Sequence, residues 1–137
     1  MALAVGLAVN PTIPKMLDLF GTASQTGWST VYVKLHTGIP GADGTNGASS
    51  ETTRKAVTFD PASTSNGTKV ASGTLPSWTS WGQGTETIQY LSMWTSVGPT
   101  GGTFLGSLEL SSPRTVNFSD TINITALTLA ISTKATT

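Results

Sequence analysis

The segment Val31–Phe59, VYVKLHTGIPGADGTNGASSETTRKAVTF, decides how this chain reads. Val31, Val33 and Leu35 fall on one side of an extended backbone, and Tyr32, Lys34 and His36 on the other. That two-residue period is the mark of a half-buried strand, and it sets His36 on the outward face. Gly38 to Ser50 is dense in glycine and small polar residues, which predicts a long exposed loop. From Arg54 to Phe59 the alternation resumes, with Ala56 and Thr58 opposite Lys55, Val57 and Phe59. Strand, loop and strand follow one another with no recognisable catalytic constellation between them.

Working outward, the same punctuation continues. Strands are expected at Thr68–Ser72, Thr74–Trp78, Glu86–Trp94, Thr103–Leu110, Arg114–Phe118 and Thr121–Ser132, the last with an irregularity after Ala126. Asn66-Gly67, Gly82-Gln83-Gly84, Gly98–Gly102 and Ser111-Ser112-Pro113 supply the turn chemistry between them. Upstream, Asn10-Pro11-Thr12-Ile13-Pro14 suits a helix entrance. Ile13, Met16, Leu17 and Phe20 then recur at helical spacing until Gly21, which predicts one short helix at about 12–20. The expected class is therefore mainly all-β: an antiparallel β-sandwich or jelly-roll-like domain over residues 11–132 with one N-terminal helix. An apolar arm, residues 1–10, precedes it, and a polar tail, 133–137, follows.

Composition narrows the function. With seven basic and seven acidic residues in 137, the formal net charge is zero and charged residues make up only 10%. Such a surface carries no electrostatic footprint for nucleic acid and no basic patch for anionic lipid. No apolar run is long enough to span a bilayer. Serine and threonine together form about 30 per cent of the chain, a neutral polar stock that suits outer strand faces. There is no cysteine, hence no disulfide framework and no thiolate chemistry. Met1 to Val9 is apolar but has no basic start, and Asn10-Pro11 cuts it short, unlike a signal peptide. Leu3, Val5, Leu7 and Val9 suit two roles equally: an arm docking on a neighbouring subunit, or a segment covering the chain's own core.

VYVKLHTGIPGADGTN, the following ETTRKAVTF, the strand Tyr90-Leu91-Ser92-Met93-Trp94 and the run Thr100-Gly101-Gly102-Thr103-Phe104-Leu105-Gly106 together resemble a family of small tailed-bacteriophage virion proteins. The resemblance extends from about Lys15 to Ile131. It implies a virion component made in the bacterial cytoplasm, labelled a tail-fibre or minor tail protein in many members and a capsid decoration protein in some relatives.

The residue inventory offers little for catalysis. His36 is the one histidine, without a GxSxG elbow or any other nucleophile context. The acids, Asp18, Asp43, Glu51, Asp60, Glu86, Glu109 and Asp120, fall mostly in expected turns, in the helix or at strand ends, and form no evident acid/base pair. Asp43 and Asn46 in GADGTNG invite comparison with a calcium loop, but the alternate-position ligands and closing Glu are missing, and a plain turn is expected. Gly38, Gly41, Gly44 and Gly47 repeat at three residues, too few units for a collagen-like helix. No catalytic residue, metal or cofactor is expected. Trp94 is expected in the core, on one face with Ile88 and Tyr90, whereas Trp78 and Trp81, in PSWTSWGQG, suit either an interface or a sugar platform.

The sequence thus predicts a non-enzymatic virion protein. Its first reading is capsid decoration, as a homotrimer bound to the major capsid protein. The alternative is a tail component that contacts other tail proteins or a host glycan. Leu3, Val5, Leu7, Val9, Asp43, Asn46, Trp78 and Trp81 are the candidate partner-binding residues.

Overall fold

A computed structural model of the chain describes Trp28, residues 30–61 and residues 68–130. The expected arm, helix and tail lie outside these residues. Eight strands follow in chain order: β1 (Val31–His36), β2 (Lys55–Phe59), β3 (Thr68–Ser72), β4 (Ser77–Trp78), β5 (Glu86–Trp94), β6 (Phe104–Val116), β7 (Ile122–Asn123) and β8 (Thr128–Ala130). All pairings are antiparallel, and no helix occurs among the described residues. Instead of two full layers, the described residues form one six-stranded sheet, ordered β6-β5-β1-β2-β3-β8, and a two-stranded ribbon, β4-β7.

Sequence alternation dictates which face is buried. Val33 stands opposite Met93, Leu35 opposite Leu91 and Val31 opposite Val57, so large apolar side chains line one face of the sheet. That face carries the main core: Val33, Leu35, Val57, Ile88, Leu91 and Met93, with Trp78 and Ile122 brought in by the ribbon. Leu108 and Leu110 from one end of the sheet and Leu129 from the other pack on the same cluster. In a flat sheet those edge strands would stand about 24 Å apart, five spacings of roughly 4.8 Å. The sheet is therefore curled around its core.

Three expectations are corrected. The strands anticipated at Thr103–Leu110 and Arg114–Phe118 are one strand, β6, in which Leu110 to Pro113 face Gln89 alone. A proline is tolerated at such an irregularity, because no ladder hydrogen bond is asked of it. The same irregularity changes the parity of β5, so Ile88 joins the main core while Trp94 lies in a second cluster with Phe104. Third, Thr121–Ser132 is not continuous: Ile122–Asn123 pairs with β4 and Thr128–Ala130 with β3. The break comes where the buried residues change step, from Ile122 and Ile124 to Leu127, and Ala126 is exposed.

Candidate functional site: the glycine-rich loop and the second face of the sheet

The outward face of β1 is not open. Tyr32, Lys34 and His36 stand opposite Trp94, Ser92 and Tyr90 of β5, and the loop after β1 folds back over them. Thr37 N–H donates to Gly47 O at 2.8 Å, Ser49 N–H to Leu35 O at 3.1 Å and Asn46 N–H to Pro40 O at 2.9 Å, and His36 bridges to Ala48. Glycine is required at two of these turns. Gly44 has φ +75°, and a Cβ there would lie 2.3 Å from Cδ2 of the Phe104 ring. Gly47 has φ +56°, and its Cβ would meet the Gly38 backbone at 2.7 Å. The three-residue glycine period is thus the signature of a compact folded-back loop, with Gly44 seated on Phe104.

Beneath this loop His36 is fully buried, which corrects the expectation of exposure. Its Nδ1 lies 2.8 Å from Asn46 O, an acceptor, so Nδ1 carries the proton. Nε2 must then accept, and Ser92 Oγ at 2.7 Å donates to it. Ser92 Oγ in turn accepts from Trp94 Nε1 at 2.7 Å. The result is a directional chain, Trp94 to Ser92 to His36 to Asn46. Burial lowers the His36 pKa, and the nearby Lys34 charge adds to this against the hydrogen bonds to the Asn46 and Gly47 carbonyls, which raise it. A serine hydrogen-bonded to a neutral histidine has the parts of a nucleophile and its base. Here, however, both side chains are sealed from solvent and offer no open side to a substrate.

Arg54 closes the other end of this face. Its guanidinium carbon lies 3.9 Å from the centroid of the Trp94 ring, and Trp94 meets Phe104 at 5.4 Å between centroids. Nη1 donates to Ser96 O at 3.0 Å and Gly101 O at 2.8 Å, and Nη2 to Pro99 O at 3.4 Å. One buried side chain thereby fastens the β5–β6 turn to β2. Glu86 fastens the end of the glycine-rich loop: its carboxylate accepts from Ser49 Oγ at 2.6 Å, from Ser50 N at 3.0 Å and from Ser50 Oγ. Burial pushes the Glu86 pKa up, but these hydrogen bonds outweigh it and hold the carboxyl below its usual range.

The candidate residues separate clearly. Trp78 and Trp81 are 3% and 1% exposed, and their indole N–H groups donate to Thr53 O and Gly84 O. They are core residues, so neither presents a ring for stacking. Asp43 and Asn46 are exposed. Asp43 Oδ1 accepts from Thr45 N and Oγ1, bonds that lower its pKa and spend the carboxylate on its own turn. Among the described residues no group of three or more His, Cys, Asp and Glu converges to hold a metal. Leu3, Val5, Leu7 and Val9 lie outside the described residues. Sequence reasoning missed Arg54, Ser92 and Glu86, which look like ordinary strand residues until the loops fold over them.

Comparison with curated proteins gives no match. A family model does match, over residues 10–132, and its description is podophage GP4 fiber I protein gp80. This domain of strands and closed loops therefore belongs to the podophage GP4 fiber I protein gp80 family, a family of bacteriophage fibre-type virion proteins.

Proposed function

We propose that this chain is a non-enzymatic structural subunit of a podophage fibre, working through contacts with copies of itself and with neighbouring virion proteins. The family match over nearly the whole chain carries this reading. The geometry supports it, because the one histidine, its serine partner and the Trp78, Trp81 and Trp94 indoles are all spent inside the domain.

The surface left for partners is neutral and firmly held. Phe118 is 73% exposed on a turn locked by Asn117 N–H to Asp120 Oδ2 at 2.9 Å and by Ser119 N–H to Trp81 O at 2.8 Å. An exposed aromatic on a rigid turn is a low-entropy anchor for a protein contact. Ala42, Asp43, Thr45 and Asn46 offer a second exposed edge at the tip of the glycine-rich loop. A homotrimer would use such patches around its axis. Capsid decoration, with the major capsid protein as partner, is the alternative that the same neutral surface serves.

Cryo-electron microscopy of intact virions tests the assignment. Density for this domain in fibres attached to the tail region supports it. Density repeated over the head lattice would overturn it in favour of decoration.

A further inference from the structure

Asparagine followed by glycine carries the parts of a covalent reaction in its own backbone. The amide nitrogen of the second residue can attack the side-chain carbonyl carbon of the first, and glycine has no side chain to obstruct the approach. Whether a folded chain allows this depends on what holds the two groups, and the asparagines among the described residues differ in that respect. Asn123 is held at both. Its Oδ1 accepts from Ser77 Oγ at 2.6 Å, and the next amide, Ile124 N–H, donates to Pro76 O at 3.0 Å. Asn117 is held by its side chain, with Oδ1 accepting from Thr85 Oγ1 at 3.1 Å and Nδ2 donating to Asp120 Oδ2 at 3.4 Å, and bulky Phe118 follows it.

Asn46 is the exception. It and Gly47 are both exposed. Their carbonyls are engaged: Asn46 O accepts from His36 Nδ1 at 2.8 Å, and Gly47 O from Thr37 N–H at 2.8 Å and Gly38 N–H at 3.2 Å. Among the described residues, however, no hydrogen bond takes up Gly47 N–H or the Asn46 side-chain amide. The attacking nitrogen and the group it attacks are therefore both left to water. Asn46 Nδ2, the nitrogen that would depart, lies where only a glycine at position 41 leaves space, since a Cβ there would stand 2.6 Å from it.

We propose that Asn46 is a site of spontaneous succinimide formation, and that its isoaspartyl product releases the glycine-rich loop from His36. Gly47 N forms a bond to Asn46 Cγ, the Cγ–Nδ2 bond breaks, and ammonia leaves with the proton of the Gly47 amide. Nothing is oxidised or reduced, and the hydrogen given up supports no other bond among the described residues. Water then opens the ring on either side. Attack at Cγ restores the original main chain with an aspartyl side chain. Attack at the main-chain carbonyl carbon gives isoaspartate, in which the chain runs through Cβ and Cγ and the old carbonyl becomes a free carboxylate. That carbonyl is the acceptor for His36. Beyond it the main chain is one carbon longer, just where Gly47 O meets Thr37 and Gly38. The isoaspartyl loop thus loses the register that holds it over β1.

Peptide mapping by mass spectrometry tests this on the full chain. Cleavage after Lys34 and Arg54 isolates a peptide whose one asparagine is Asn46, apart from the other Asn-Gly pair, Asn66-Gly67. Native protein aged in mildly alkaline buffer should gain one mass unit in that peptide, ahead of the peptide that holds Asn117 and Asn123. The product should separate into aspartyl and isoaspartyl forms, and Asn46→Gln should stay intact over the same period. An unreacted Asn46 in the aged native chain overturns the proposal. So does an aspartyl product with no isoaspartyl form, which direct hydrolysis of the side chain would give. Deuterium exchange reads the consequence: the Thr37 amide of the isoaspartyl form should exchange about tenfold faster, or more, than in fresh protein. Equal exchange would contradict the release of the loop.

Discussion

Arg54 shows how much one charged side chain organises when a chain has few. Its fork holds three carbonyls of the β5–β6 turn while its plane lies on Trp94. Lysine reproduces the charge but not the fork. Arg54→Ala should therefore cost about 2–4 kcal/mol in chemical denaturation, with Arg54→Lys recovering only part; an unchanged midpoint for Arg54→Ala would refute its role as a fastener. His36 leads to a pH prediction. Burial favours the neutral imidazole, so the unfolded chain takes up the proton near its ordinary value of about 6.5, before the folded chain does. Stability is then complete above that pH and falls as pH drops through the lower folded-state pKa. Glu86 acts in the same sense further down, since its carboxylate, held low in the fold, is protonated first when unfolded. The melting temperature should decline from about pH 6.5 toward 5, and His36→Gln should flatten that part of the curve. None of these roles was legible beforehand, because parity says which face a residue takes and nothing of what covers that face.

At the scale of elements the sequence was readable wherever a strand obeyed one period. β3 and β5 fall at the expected bounds, and β1 and β2 follow the alternation of Val31–Phe59. It was unreadable where tertiary pairing changed the step. Ser111-Ser112-Pro113 has the composition of a turn, yet it is the bulged middle of β6, held in the sheet by pairing on both sides. The candidate loop was half legible: its glycines announced a turn, but only the fold shows Gly44 pressed against Phe104. Gly44→Ala should destabilise by about 1–3 kcal/mol through the clash and the left-handed backbone. Phe104→Leu should make room, so the double mutant should lose less than the two single losses summed, a coupling read in a double-mutant cycle. Strict additivity would mean that the ring and the glycine do not meet.

For the molecule as a whole, assembly hangs on surface that folding does not need. Phe118→Ser should leave the melting curve within about 0.5 kcal/mol of the parent, since the ring is largely in water. Copies per purified particle, counted by quantitative mass spectrometry, should fall; full incorporation would remove Phe118 from the contact surface. The order of the sheet has a temporal side as well. β1 leads the described strands yet sits between β2 and β5, and His36 and Glu86 lie 50 positions apart in the chain. A ribosome adding about 5–20 residues each second delivers that partner some 3–10 s after β1 has emerged. Throughout that interval an apolar strand waits with one edge bare. Nascent chains crowded on one messenger therefore expose an edge that the finished sheet covers, a hazard met well before any virion is built.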